Sequence, residues 1–215
     1  MTATARLLHG VAAAVTWGAL ALQFLLLADQ FAADGANWAS ALWRFLGYFT
    51  ILTNGFVAVT ATASALAPRH WLAGPRMRLA AVTAILIVGL VYSLALRHVW
   101  DPHGWQAVAD HALHDATPLL FLLAWWFGPH GQLDWRDTLW ALPFGFAYLV
   151  YAMARGAVEG WYAYYFLDPS QQTVGELLGV TAAIVAALTA IALLVVATDK
   201  LLARRDGGPA MPATS

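Results

Sequence analysis

Four ionisable side chains fall within six residues: Asp110, His111, His114 and Asp115. An unbroken apolar run, residues 119–126, follows almost at once. Imidazoles and carboxylates beside lipid-compatible sequence are costly, face protein or water, and point to a functional site. On a helix His111 and His114 share a face, and Asp110–His114 and His111–Asp115 stand at i, i+4 spacing. That spacing suits a general base whose imidazole is oriented by a carboxylate. Pro118 has no amide hydrogen, so the His114 carbonyl loses its i+4 donor and a kink is expected there. A hydroxyl becomes a nucleophile when such a base takes its proton. Thr50 and Thr53 are the candidates; they lie on one face of a helix, and spacing alone does not choose between them. The competing reading is structural: threonines in membrane helices commonly bond a carbonyl one turn back, and buried histidines pair with carboxylates between helices.

The surrounding chain must place these groups inside a membrane. Of 215 residues, 61% are hydrophobic and 11% charged, whereas a soluble domain carries about 25% charge. This composition predicts an all-α polytopic membrane protein, with a single domain over residues 1–202. Six transmembrane helices are expected at about 7–28, 44–66, 78–96, 107–127, 138–155 and 173–202, and residues 203–215 as a disordered cytoplasmic tail. The first run is long enough to span and too long for a signal-peptide core. The absence of cysteine removes disulfides, thiolate nucleophiles and Cys metal sites. A net charge of −1 argues against a nucleic-acid partner. Ten arginines against one lysine, with abundant alanine, suggest a bacterial inner membrane.

Basic residues set the orientation. Arg6, Arg69, Arg76, Arg78, Arg136, Lys200, Arg204 and Arg205 fall on the side of both termini; Arg44, Arg97 and Arg155 fall on the other. The positive-inside rule then puts both termini in the cytoplasm. At ~1.5 Å rise per residue, Thr50 and His114 each lie about 10 Å inside the outer end of their helices. Gln23, Tyr92, Tyr151, Arg155 and Glu176 fall in the same outer half, while the inner halves are nearly free of ionisable groups. A polar cavity in the outer leaflet is expected, roofed by the aromatic connection 156–172.

Each further candidate has two readings. Asp110 or Asp115 orients an imidazole or snorkels to the interface. Asn54 or His111 steadies an oxyanion, or Asn54 bonds across a helix interface. Arg155 holds a substrate carboxylate or phosphate, or anchors the interface beside Glu159. Tyr151 and Tyr164 contact substrate or belong to an aromatic belt, and the run 161–166 is a belt or a lid. Glu176 binds substrate or complements the dipole of the last helix. A zinc hydrolase would use His111, His114 and Asp115 or Glu176 as ligands. A proton-coupled binding or transport protein would use the Asp/His cluster with Arg155 and Glu176, although an inner half poor in polar groups speaks against a through-going path.

Three stretches, residues 44–54, 110–118 and 160–168, together resemble the bacterial six-transmembrane relatives of the androgen-induced-gene and androgen-dependent regulator family, over roughly residues 5–200. Animal members are intramembrane threonine hydrolases that cleave fatty acid esters of hydroxy fatty acids. The resemblance implies Thr50, after Tyr48-Phe49, as nucleophile and His114, second of the two histidines, as base. Three positions depart from the family pattern: Asp110 stands for an Asn, Asp115 for a Thr and Tyr165 for a Pro. The resulting expectation is a hydrolase of lipid or fatty-acyl esters that needs no cofactor.

Overall fold

A computed structural model describes residues 1–205, and its regular structure is helical throughout. Helix α1 is Ala3–Ala33, α2 Trp38–Phe45, α3 Phe49–Leu66 and α4 Pro75–Val91. Helix α5 is Trp105–His111, α6 Thr117–Trp126, α7 Leu142–Glu159 and α8 Val174–Arg205. A wide π-turn, Tyr92–Leu96, extends α4, and a second, Ala112–Ala116, joins α5 to α6. Short 3-10 segments at Trp71–Ala73, Trp135–Ala141 and Tyr165–Leu167 fill three of the connections. Residues 203–205, expected in the tail, belong to α8; the rest of that tail, 206–215, lies outside the described residues.

Five helical stretches are long and apolar enough to cross a membrane: Ala3–Ala33, Phe49–Leu66, Pro75–Leu96, Trp135–Glu159 and Val174–Arg204. The stretch expected as the fourth of six spans winds from Trp105 to Trp126 through α5, the π-turn and α6. Its polar cluster interrupts the regular α-helix and dilutes its hydropathy. Large apolar side chains such as Leu25, Leu94, Leu119, Phe146 and Leu194 stand exposed on the helix surfaces, as lipid contact requires.

The second expected span is two helices. Asn37 caps α2 by accepting the Ser40 amide at 2.9 Å, and the chain breaks at Leu46–Tyr48 before α3 begins. Packing dictates the break: a Cβ on Gly47 would lie 2.6 Å from the Trp161 ring and 2.8 Å from Arg155 Nη1. The carbonyls freed there are not wasted, since Tyr148 donates to Gly47 O at 3.1 Å and Tyr151 to Leu46 O at 3.2 Å. Thr50 is consequently the second residue of α3, in its first turn, rather than two turns inside a longer helix. Pro143, expected inside the fifth span, sits in the first turn of α7, where its missing amide costs nothing.

Small residues let α1 approach α3 closely. Ala12, Ala13, Val57 and Ala61 share one buried cluster with Leu79, Val82, Ile85 and Phe121, the packing expected where lipid offers no hydrophobic drive between helices. At Pro118 the helix does not simply bend. The preceding turn widens, and the Thr117 amide reaches back to the Ala112 carbonyl. Gly89 of α4 packs under this turn; a Cβ there would meet the His114 carbonyl oxygen at 3.3 Å and Pro118 at 3.5 Å.

The end of the bundle remote from Thr50 carries buried polar groups that the sequence reading leaves out. Asp199 accepts the Gly131 and Leu133 amides at 3.0 and 3.2 Å and faces His130 Nδ1 at 3.3 Å. Arg78 is buried and donates to Gln132 at 3.1 Å, and His9 is fully buried with its ring edge-on to Phe121. They fall near helix ends in sequence, so a count by depth assigns them to water. In space they fold inward, and Asp199 and Arg78 tie residues 131–133 to the bundle.

Candidate functional site

Thr50 Oγ1 lies 3.3 Å from His114 Nε2. One residue comes from the first turn of α3, the other from the middle of the Ala112–Ala116 π-turn. A π-turn displaces side chains from their α-helical positions and recurs at functional sites. Behind the imidazole, Nδ1 faces the Asp110 carbonyl at 3.0 Å and the Asp110 carboxylate at 3.3 Å. Two acceptors at Nδ1 fix the proton there and leave the Nε2 lone pair directed at the threonine hydroxyl. Asp110 is itself held by the Tyr92 hydroxyl, which donates to its second carboxylate oxygen. The Tyr92 ring lies flat on the imidazole, with centroids 4.0 Å apart and planes at 15°. Hydroxyl, imidazole and carboxylate thus stand in line, with a tyrosine bracing the last two.

Asn54 secures the distance between the two helical segments. Its Nδ2 donates to Thr50 O at 2.8 Å and to Leu113 O at 3.3 Å. Both amide hydrogens are therefore committed, and Asn54 ties α3 to the π-turn instead of facing an oxyanion. Thr53 is fully buried, and its hydroxyl touches neither cavity described below. Geometry separates the two threonines that spacing left equivalent.

Tyr164 closes the site from the connection after α7. Its hydroxyl oxygen accepts the Thr50 amide at 3.3 Å, which leaves its own proton free to donate. Burial pushes the phenol above its ordinary pKa, so that proton is retained at neutral pH. Two glycine notches seat this connection. Trp161 covers Gly47, and Tyr162 covers Gly156, where a Cβ would lie 2.1 Å from the ring.

Two cavities meet at Thr50. One, of about 460 Å³, is walled by apolar side chains of α4, α7 and α8, among them Val88, Leu142, Phe146, Ile184 and Leu188. The other, of about 300 Å³, is more polar and contains Asp110, His114, Gln23 and Gln106. Thr50, Tyr92, Leu96 and Tyr164 line both.

Other expected site residues lie elsewhere. His111 is 61% exposed and binds Asp115 at 2.8 Å. Asp115 also pairs with Arg97 and does not reach His114. The donor set His111, His114 and Asp115 is therefore not assembled, and among the described residues no three His, Cys, Asp or Glu side chains converge as a metal site requires. Arg155 is occupied by Glu159 at 3.0 Å and Tyr151 at 3.0 Å, is stacked between Trp43 and Trp161, and lines neither cavity. Tyr151 likewise serves the end of α2. Glu176 forms a capping box with Thr173, accepting its amide at 2.7 Å while Thr173 Oγ1 accepts the Glu176 amide at 3.3 Å.

The sequence reading sets Tyr92 at the level of the cavity without linking it to Asp110 or His114, and leaves out Gln30 and Gln106. Gln30 stands seven residues after Gln23 on α1, a same-face spacing, and Tyr92 stands where α4 passes into its π-turn. No family model, curated protein or solved structure matches the chain.

Proposed function

We propose that this chain is an intramembrane hydrolase of lipid esters, with Thr50 as nucleophile and His114 as general base. The observation that carries the reading is the aligned Thr50–His114–Asp110 set at the junction of an apolar and a polar cavity. A fatty-acyl chain lies in the apolar cavity, and the ester carbonyl stands over Thr50. His114 Nε2 takes the hydroxyl proton as Oγ1 bonds to the carbonyl carbon. The Tyr164 hydroxyl donates to the developing oxyanion, helped by the positive end of α3. His114 then protonates the departing alcohol oxygen, leaving an acyl-threonine. Water enters from the polar cavity, gives a proton to His114 and releases the fatty acid, which restores Thr50. Asp110 stabilises the imidazolium in both halves of the cycle, and Tyr92 positions Asp110 and the ring.

In this reading Trp105–Trp126 also spans, fourth in chain order, which brings the spans to six. Both termini are cytoplasmic, the reacting groups lie in the outer leaflet, and the membrane is a bacterial inner membrane. The resemblance to the intramembrane threonine hydrolases agrees in fold class, nucleophile and base. The test is covalent labelling of purified protein by a fluorophosphonate probe, together with hydrolysis of p-nitrophenyl palmitate. Labelling and turnover are both expected to vanish in Thr50→Ala and His114→Ala. Full turnover in either variant overturns the assignment.

A further inference from the structure

The polar cavity has a composition of its own. Beyond Asp110 and His114, its distinctive groups are the amides Gln23, Gln30 and Gln106 and the indole of Trp100. Gln106 Nε2 donates to Gln23 Oε1 at 2.7 Å, which leaves the Gln23 amide hydrogens and the Gln106 carbonyl oxygen for a guest. Gln30 and Trp100 are exposed and stand where the cavity opens. Among the described residues, no lysine or arginine lines this space, and Asp110 is its one carboxylate. The neighbouring cations are each already paired: Arg97, which lies over the Tyr92 ring at 4.8 Å, with Asp115, Arg155 with Glu159, and Arg44 over the face of Trp161.

These facts bear on which alcohol leaves. A carboxylate placed here would lose water, find no unpaired cation in the lining and sit in the field of Asp110, and each of these is unfavourable. Hydroxyl groups both donate and accept, as carboxamides do, so amides satisfy them without any charge. An indole at the opening offers an apolar face and one donor, which suits the alternating C–H and O–H surface of a polyol. The apolar cavity already takes one acyl chain; the second cavity keeps apolar walls at Leu27, Phe45, Ile51, Leu96 and Leu113, which suit the C–H faces of a polyol, beside the amides that meet its hydroxyls.

Resting on the ester-hydrolase reading, we propose that the polar cavity binds an uncharged, hydroxyl-bearing head group, a glycerol or a single sugar, as the alcohol half of the ester, and discriminates against an alcohol half bearing a free carboxylate. The preferred substrates are then monoacylglycerols or acyl sugars, not esters of hydroxy fatty acids.

The test measures equilibrium binding to the Thr50→Ala protein in nanodiscs at neutral pH, where no turnover confounds it. Four radiolabelled palmitoyl esters are compared: palmitoylglycerol, palmitoylglucose, a palmitoyl ester of hydroxystearic acid, and the methyl ester of that acid. Both polyol esters are expected to bind about tenfold or more tighter than the carboxylate ester, equivalent to one well-made polar contact or more. The ranking of glycerol against glucose identifies the head group. Methylating the carboxylate is expected to recover part of the loss. Adding Gln23→Leu or Gln106→Leu is expected to shrink the polyol-over-methyl-ester ratio, in protein whose unfolding midpoint shows that it is folded. Equal or tighter binding of the carboxylate ester overturns the proposal, as does an unchanged ratio in both glutamine variants. Polyol-selective binding without wild-type turnover sinks the hydrolase reading and leaves the head-group assignment standing. Thr50-dependent turnover without that selectivity does the reverse.

Discussion

Asp110 and Tyr92 offer the sharpest test of how the imidazole is held. Asp110→Asn keeps the shape beside Nδ1 and removes the charge, and it permits the wrong tautomer. By analogy with serine triads, kcat on p-nitrophenyl palmitate is expected to fall by about 10² or more. Tyr92→Phe keeps the ring stacked on His114 and deletes the bond to Asp110. A smaller loss, about tenfold or less, is expected, with a displaced acid limb in the pH–rate profile. The two threonines make an internal control. Thr50→Val is expected to abolish turnover, and Thr53→Val to leave it within about twofold, since Thr53 reaches neither cavity. At this scale residue type and i, i+4 spacing point to His114 and Asp110, while Thr50 is set apart from Thr53 only by the resemblance and then by the cavities. For Asp115, Arg155 and Glu176 the structure meets the second of their two readings, for one shared reason. Each finds a partner three or four residues away, His111, Glu159 and Thr173, and a satisfied local pair leaves nothing for the cavity. Spacing states which groups can pair along one helix; it does not state which neighbour a helix face meets.

Glycines set the geometry between elements. Gly156 lies under the Tyr162 ring and Gly47 under Trp161, so both notches hold the connection that delivers Tyr164 to Thr50. Gly156→Ala would place a Cβ 2.1 Å from that ring. The ring must move, at the cost of about 1–3 kcal/mol typical of overpacking. Two outcomes are expected together: a large fall in esterase activity, and faster cleavage of native protein between Gly160 and Thr173, read by limited proteolysis and mass spectrometry. Gly89→Ala acts from below. Its Cβ would press on the His114 carbonyl at 3.3 Å and shift the π-turn that carries the base. Hydropathy marks the helices because apolar runs must be long to cross lipid. It cannot mark the break at Leu46–Tyr48, where Gly47 meets Trp161 and Arg155 from far along the chain; Pro118 signals a distortion after His114 but not that it takes the form of a π-turn. Yet that break puts Thr50 in the first turn of α3, at the positive end of the helix dipole.

Across the whole molecule, polarity is divided between the two ends of the bundle. One end holds Thr50, His114 and Asp110 with the two cavities; the other holds a linked cluster of His130, Asp199, Arg78 and Gln132. Between them the packed apolar residues Val57, Leu79, Val82, Ile85 and Phe121 separate the two regions. That arrangement suits a site entered from one side better than a path through the bundle. The far cluster should betray itself in stability and not in catalysis. Burial lowers the His130 pKa, but the Asp199 carboxylate and the Trp126 carbonyl at 2.8 Å outweigh it, so the folded value lies above the ordinary 6.5. A histidine whose pKa rises on folding contributes stability that is complete below its unfolded pKa and fades as pH climbs through the folded one. The difference in thermal midpoint between wild type and His130→Gln is therefore expected to be greatest below about pH 6.5 and to narrow steadily on the alkaline side. Thr50-dependent labelling by the fluorophosphonate probe should persist in His130→Gln wherever that protein is folded, because the packed interior isolates the two ends. A midpoint difference that grew with pH would mean that His130 is held neutral, as a hydrogen-bonding ring rather than the cationic partner of Asp199.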